Sequence, residues 1–556
     1  MKSIKRQIPA LTYTLFLTVL VLYPYLVKDF LAIEHDTFFH LSRIENLSIS
    51  IRNGDFFPAL YPFENNGFGY ASPLFYSDFF LIVPALLHIA SLSLINAYKL
   101  AVFCATLIGA IGMLKLSFAM TQDQNASMVS TAAFMFSNYH ITDIFVRGAL
   151  GEIFALAALP FVLLAMHRIL VEKKKEHWFY LTLSLSALAL CHNLTFLMGC
   201  IACLVLFIIH IKSVTPDIFE SLAKGAFWAM VLTLFFTFPM IEQMRTQKLI
   251  VSYYNQTQRL STFSMDLWQY FANKTVFGIA GNYLDRDKTM LENIGYFLTF
   301  APWFYFLAKK KDKAILAYLG IGVACMIMPS SILPWEHMAF LGIMQFPWRF
   351  NTLAIVFLSI PAGMAVSEIC RDRSIAMAVI VLLGIECIYH VEPAMSRTFG
   401  MTSEMTWQQV LDGELINPYY SASYMRVELA GGDYLPAASP DFRAYPPIAK
   451  DGEGNIVPVE LTKNNTVLSV DIDQDYETIV LPLTWYKGYR MYKVEGTSFI
   501  PIQVIRSKNA LVSFSPNGEG RYMAMYLDTP LRRICKWLST LAATFLFLYW
   551  ARNRKN

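Results

Sequence analysis

Apolar residues in this chain run on almost unbroken, with neither the alternation nor the narrow stripes of a soluble fold. Apolar runs occupy 9–27, 74–95, 97–118, 125–141, 149–170, 177–192, 194–211, 219–240, 291–308, 313–329, 347–368, 373–391 and 533–550, with polar segments between them. Most have the roughly 17–25 residues with which an α-helix spans the hydrocarbon core. The first run follows Lys2, Lys5 and Arg6 and lacks a small-residue cleavage site. It reads as a signal anchor whose N-terminus is cytoplasmic. The pattern predicts a polytopic α-helical membrane protein of about 12–13 spans.

Basic residues orient the spans, because cytoplasmic loops collect Lys and Arg. Lys173-Lys174-Lys175, Lys309-Lys310-Lys311 with Lys313, Arg371 with Arg373, and the tail from Arg552 to Lys555 agree with one another. Counted from the tail, they place 28–73, 141–148, the turn at Cys191-His192-Asn193, 241–290, 330–346 and 392–532 outside the cytoplasm. Counted from the N-terminus, the parity is opposite by residue 173, so one of the four runs between 74 and 170 is expected not to cross. Run 74–95 carries Asp78, Pro84 and His88 and is the natural choice.

Three regions follow: 1–391, a membrane module with a long first outer loop at 28–73; 392–530, a small extracytoplasmic β-rich domain; and 531–556, a final span with a cytoplasmic tail. Strand-like segments such as 466–470 and 502–505, with turn signals at Asp451-Gly452, Lys487-Gly488 and Asn517-Gly518, carry the β reading.

Composition agrees with the pattern. Of 556 residues, 55% are hydrophobic and 15% charged, against about 45–50% and about 25% in soluble domains. This excludes a soluble enzyme, a disordered chain and a nucleic-acid binder. The net charge of +4, from 45 basic and 41 acidic residues, needs no basic surface. All eight cysteines lie in or beside apolar runs, which argues against disulfides and a Cys-based zinc site.

Several constellations carry chemistry. After the first span, Glu34 and Asp36 put two carboxylates near the outer bilayer surface. Such a pair suits deprotonation of a hydroxyl or the holding of a divalent ion. On a helix over 36–52, Asp36, His40 and Arg43 share a polar face; the same spacing suits an interfacial helix with a solvated face. Tyr70 and Tyr76 belong to a stretch with Gly67 and Gly69 that suits a ligand-facing loop or an aromatic belt. Arg147 sits at the mouth of the 149–170 span and Glu152 inside it. Charge there is expensive and points to function or to a structural ion pair; Arg147 also suits a phosphate. His192 lies between two spans, and Arg349 enters another, placed to bind a lipid-linked phosphate or to snorkel. There is no Walker loop, dinucleotide fingerprint or HExxH site, so an activated donor would reach the outer site as a lipid phosphate.

These residues resemble a known family. His35-Asp36-Thr37-Phe38-Phe39-His40 with Arg43, Gly67-Phe68-Gly69-Tyr70, Arg147-Gly148-Ala149-Leu150-Gly151-Glu152, His192 and Phe346-Pro347-Trp348-Arg349-Phe350 look like the GT-C superfamily of membrane glycosyltransferases. More narrowly, they resemble the YfhO-like, 6-pyruvoyl-tetrahydropterin synthase-related bacterial membrane proteins. The resemblance covers roughly residues 1–390. It implies a GT-C-like fold and inverting transfer of a sugar from a polyprenyl (undecaprenyl) phosphate donor to a cell-surface polymer or glycan. The active site would face outward from a multi-pass cell-membrane protein. Asp36 would be the base, assisted by Glu34, the two holding a magnesium or manganese ion if one is used. His40 and Arg43 would shape the acceptor side, Arg147 and Arg349 would receive the donor phosphate, and Glu152 and His192 would support them. A flippase for lipid-linked sugars and a non-catalytic envelope scaffold are the competing readings.

Overall fold

The computed structural model describes residues 2–32, 34–255, 257–272, 275, 290–396, 400–412 and 432–553. Each apolar run forms helix. Among the described residues, six helices are long and apolar enough to cross a membrane: Leu94–Thr121, Leu150–Leu170, Pro216–Thr246, Pro347–Ile369, Arg373–Ser396 and Pro530–Asn553. Pro9–Val21, Asn193–Ile209, Tyr296–Leu307 and Lys313–Ile327 are shorter apolar helices. The run at 74–95 holds a short helix, Phe79–Ile89, whose α-helical part is the eight residues Ile82–Ile89. At 1.5 Å per residue that part rises about 12 Å, far short of a crossing.

The chain divides into two compact units. The first comprises Met1–His40, Ile95–Met230 and Tyr254–Ser403. Its centre is the helix Phe350–Cys370, packed against Gln124–Met135 and Lys313–Ile327. Close approach there depends on small residues: a Cβ on Gly363 would stand 2.2 Å from Ser130 Oγ and 2.4 Å from the Ala126 carbonyl. A short antiparallel ribbon pairs Phe30–Ala32 with Gly400–Thr402, Leu31 opposite Met401.

The second unit comprises Leu41–Leu94, Val231–Tyr253 and Glu404–Asn556. It holds the expected β-rich region, whose strands lie between Lys450 and Tyr526. One antiparallel sheet runs Leu461–Asn464, Val467–Ile472, Gly520–Tyr526, Tyr489–Glu495, Ser498–Ile502 in spatial order. The other runs Lys450–Asp451, Ile479–Thr484, Leu511–Phe514, Ile505–Arg506. Alternate residues of Val467–Ile472 point inward, the period of a half-buried strand. Val470, Leu481, Phe514 and Tyr522 form one core with Leu60, Ala71 and Phe75. Asn517-Gly518 supplies a turn, with Gly518 at φ 75.

Candidate active site

The site grows from an irregular stretch before the Leu150–Leu170 helix. The Ser137 side chain caps a short helix, Asn138–Thr142, by accepting from the His140 amide. The backbone then widens into a π-type turn, Asp143–Arg147, and is stopped by Gly148 in the left-handed region at φ 58. No other residue fits this position. A Cβ there would lie 2.0 Å from Thr37 Oγ1 and 2.7 Å from Glu34 Oε2. The absence of a side chain lets the segment after the first span lie against the turn. The His35 amide donates to the Val146 carbonyl at 3.2 Å, and the Asp36 amide to the Arg147 carbonyl at 2.8 Å.

Charges gather behind this junction. Arg147 Nη1 donates to Asp143, its i−4 neighbour, and Nη2 lies 2.6 Å from Glu152 Oε2. Glu152 Oε1 accepts from the Tyr139 hydroxyl at 3.2 Å and the Thr352 hydroxyl at 3.1 Å. Arg349 brings its Nε to 3.8 Å from the same carboxylate, while its Nη1 donates to the Met344 carbonyl and to Gln345 Oε1. Among the described residues, Arg349 Nε has no hydrogen-bond partner. His192 caps the helix Asn193–Ile209, its Nδ1 accepting from the Thr195 amide at 3.3 Å. It lies within electrostatic reach of Glu152, Arg147 and Arg349. Asp143, Arg147 and Glu152 are all buried, where an ion survives only if paired.

Asp36 is half-buried. Burial pushes its carboxyl above the usual carboxylate range, while Arg147, His35 and Arg349 pull in the opposite direction. Glu34 is buried and accepts from the Tyr25 hydroxyl at 3.3 Å and from the Thr37 hydroxyl. Two hydroxyls thus already donate to the Glu34 carboxylate. Among the described residues, no three His, Cys, Asp or Glu side chains gather as metal ligands.

The structure therefore brings Glu34, Asp36, Arg147, Glu152, His192 and Arg349 together in the first unit. The remaining sequence candidates have other surroundings. His40 is buried at the end of the first unit's first chain segment, its ring 5.3 Å from that of Phe39. Arg43, Tyr70 and Tyr76 belong to the second unit. Arg43 is engaged by Asp78 at 2.5 Å and by the Ser77 and Tyr76 carbonyls, and lies over the Tyr76 ring. Tyr70 is buried, its hydroxyl accepting from the Tyr434 amide at 3.1 Å.

Sequence reasoning gave no role to Asp143, Tyr139, Thr352 or Glu292. Asp143 carried a signal, four residues before Arg147, as did Thr352, three after Arg349. Glu292 carried none: it is buried within electrostatic reach of Arg147, and its carbonyl accepts from Asn351 Nδ2 at 2.6 Å.

Membrane-length helices, a β-rich region near the C-terminus and a buried cluster of paired ions at the helix mouths define a polytopic α-helical membrane protein. Residues 73–395 match the 6-pyruvoyl-tetrahydropterin synthase related domain, a membrane protein family. The chain belongs to that family. None of the curated proteins matches it. Among solved structures, it is similar to the arabinofuranosyltransferase AftD from Mycobacteria, at 11% identity and a TM-score of 0.47, covering 94% of this chain and 40% of that one. A mutant form of AftD gives 12% identity and a TM-score of 0.46, covering 72% and 29% respectively. The chain thus spans 40% or less of the length of either structure.

Proposed function

We propose that this protein is a GT-C-type membrane glycosyltransferase that moves a sugar from a polyprenyl phosphate to a glycan or polymer acceptor outside the cytoplasm. The observation that carries the reading is the hydrogen bond from the Asp36 amide to the Arg147 carbonyl, which ties a half-buried carboxylate to a cluster containing two guanidinium groups.

In this reading the acceptor hydroxyl attacks the anomeric carbon as the bond from that carbon to the lipid-phosphate oxygen breaks, with inversion. Asp36 takes the hydroxyl proton. A carboxyl held above its ordinary range is the stronger base once deprotonated. Arg349, whose Nη1 is held by the Met344 carbonyl and Gln345 and whose Nε lies 3.8 Å from Glu152, meets the charge on the departing phosphate. Arg147 is fully engaged by Asp143 and Glu152 and serves as a fixed positive charge behind Asp36. Glu34 holds the Thr37 turn, and His192 stands within electrostatic reach of the cluster.

The test is Asp36→Asn in purified, folded protein supplied with a polyprenyl-phosphate sugar and an acceptor. Loss of a general base lowers turnover by about 10²–10⁴-fold. Turnover at the wild-type rate removes Asp36 from the chemistry.

A further inference from the structure

Glu292 lies in the first unit, just before the Tyr296–Leu307 helix, and is 2% exposed. Its backbone is clamped from both sides. The amide donates to Gln269 Oε1 at 3.4 Å, and the carbonyl accepts from Asn351 Nδ2 at 2.6 Å. Asn351 is fixed in turn, its Oδ1 accepting from the Tyr270 hydroxyl at 3.0 Å. The carboxyl is held by much less. Apart from its own amide, no described residue donates to it, and no described cation forms an ion pair with it. Arg147 is within electrostatic reach but is already engaged by Asp143 and Glu152.

A buried carboxylate with neither a donor nor a cation is costly, and buried polar groups are nearly all hydrogen-bonded. Further exceptions adjoin the two arginines. Among the described residues, Trp348 Nε1, beside Arg349 in sequence, and Thr142 Oγ1 and Asp143 Oδ2, where the π-type turn begins, are buried without a hydrogen-bond partner. These groups are an indole N–H, a hydroxyl and a carboxylate oxygen, a mixture of donors and acceptors. A sugar suits such a mixture, because each of its hydroxyls both donates and accepts. A hydrocarbon chain would satisfy none of them, and a phosphate would be repelled by the carboxylates.

The placement of Glu292 points to one sugar. Asn351, which holds it, follows two residues after Arg349, the group assigned to the donor phosphate, and the reach of Arg147 extends to both Glu292 and Asp36. A sugar in transfer lies between the departing phosphate and the base. We propose that Glu292 binds the sugar carried by the polyprenyl-phosphate donor, its carboxylate accepting a hydrogen bond from a sugar hydroxyl. This rests on the glycosyltransferase reading and adds to it a residue that distinguishes the sugar-bearing lipid from the bare one.

The experiment titrates the full chain in detergent with undecaprenyl phosphate and with the same lipid carrying arabinofuranose, glucose or mannose, and follows sugar transfer separately. Loss of a charge-assisted hydrogen bond weakens binding about tenfold or more. Glu292→Ala should show that loss toward the glycosylated lipid that wild type binds, yet bind undecaprenyl phosphate no more weakly than wild type. Glu292→Gln keeps an acceptor oxygen without the charge; it should recover part of the loss and melt no lower than wild type. A Glu292→Ala protein that binds the glycosylated lipid as wild type does, or that loses affinity equally for the glycosylated and bare lipids, overturns the inference. Wild type that binds the glycosylated lipid through Glu292 but transfers no sugar overturns the enzymatic reading and leaves this assignment in place. Wild type that binds none of these lipids overturns both.

Discussion

The Asp36 amide donates to the Arg147 carbonyl at 2.8 Å, so the proposed base and its neighbouring guanidinium are joined through backbone, not through a flexible side-chain pair. Burial raises the Asp36 pKa, and Arg147 opposes the rise without abolishing it. A base works only when deprotonated. Turnover is therefore expected to fall as pH drops through the Asp36 pKa, with the midpoint of that limb above about 4, the ordinary Asp value. A pH profile of kcat/KM checks this, and Asp36→Asn should remove the limb. An acid limb that persists in Asp36→Asn assigns it to another group.

Gly148→Ala tests the junction itself. The new Cβ meets Thr37 Oγ1 at 2.0 Å, and the residue must also keep φ 58. The left-handed conformation costs about 1–2 kcal/mol for an L-residue, and overpacking adds about 1–3 kcal/mol. Expected outcomes are a lower melting temperature and loss of turnover, read by thermal unfolding in detergent and by the transfer assay. Wild-type stability with wild-type turnover would mean that the Glu34–Thr37 segment need not sit on the turn.

The two arginines should fail in different ways. Arg147→Gln leaves Asp143 and Glu152 buried around a neutral amide; breaking a buried pair on one side costs about 3–5 kcal/mol. Its signature is a reduced melting temperature. Arg349→Gln leaves Glu152 still paired with Arg147 at 2.6 Å and should keep the melting temperature near wild type. Its signature is a donor KM raised about tenfold or more, as expected when a charge-assisted contact worth about 1.5–3 kcal/mol is lost. A donor KM unchanged in Arg349→Gln would leave the phosphate without its proposed partner.

Much of this architecture was legible in the chain, for identifiable reasons. Apolar runs announce helices because a bilayer demands them, and Arg147 with Glu152 stood out because charge beside a membrane segment is expensive. Where each run breaks was harder to read: the stop at Gly148 arises from tertiary contacts and local backbone geometry. Long-range pairings were invisible. Arg43 reads as a ligand-facing residue until Asp78, 35 positions on, takes its guanidinium. Tyr70 likewise reads as an exposed ring until Tyr434, 364 positions on, engages its hydroxyl. Asp143 was overlooked because an acidic residue in a polar connection looks solvated, and only the π-type turn buries it against Arg147.

Glu64 gives a prediction about stability alone. Its carboxyl is buried in the second unit, where Ser42 and Asn46 both donate to the same oxygen, Oε1. Burial pushes its pKa up to about 7, against an unfolded value of about 4.3. Between those two values the folded protein holds a proton that the unfolded chain has released. Stability is therefore expected to fall as pH rises from about 4.3 to about 7 and to level off above, a change on the order of 3 kcal/mol. Glu64→Gln keeps an oxygen that accepts both donors and cannot ionise. It should flatten this dependence and raise the melting temperature at pH 8 above that of wild type, with little difference at pH 4. Parallel melting curves for the two proteins across that range would reject a neutral Glu64.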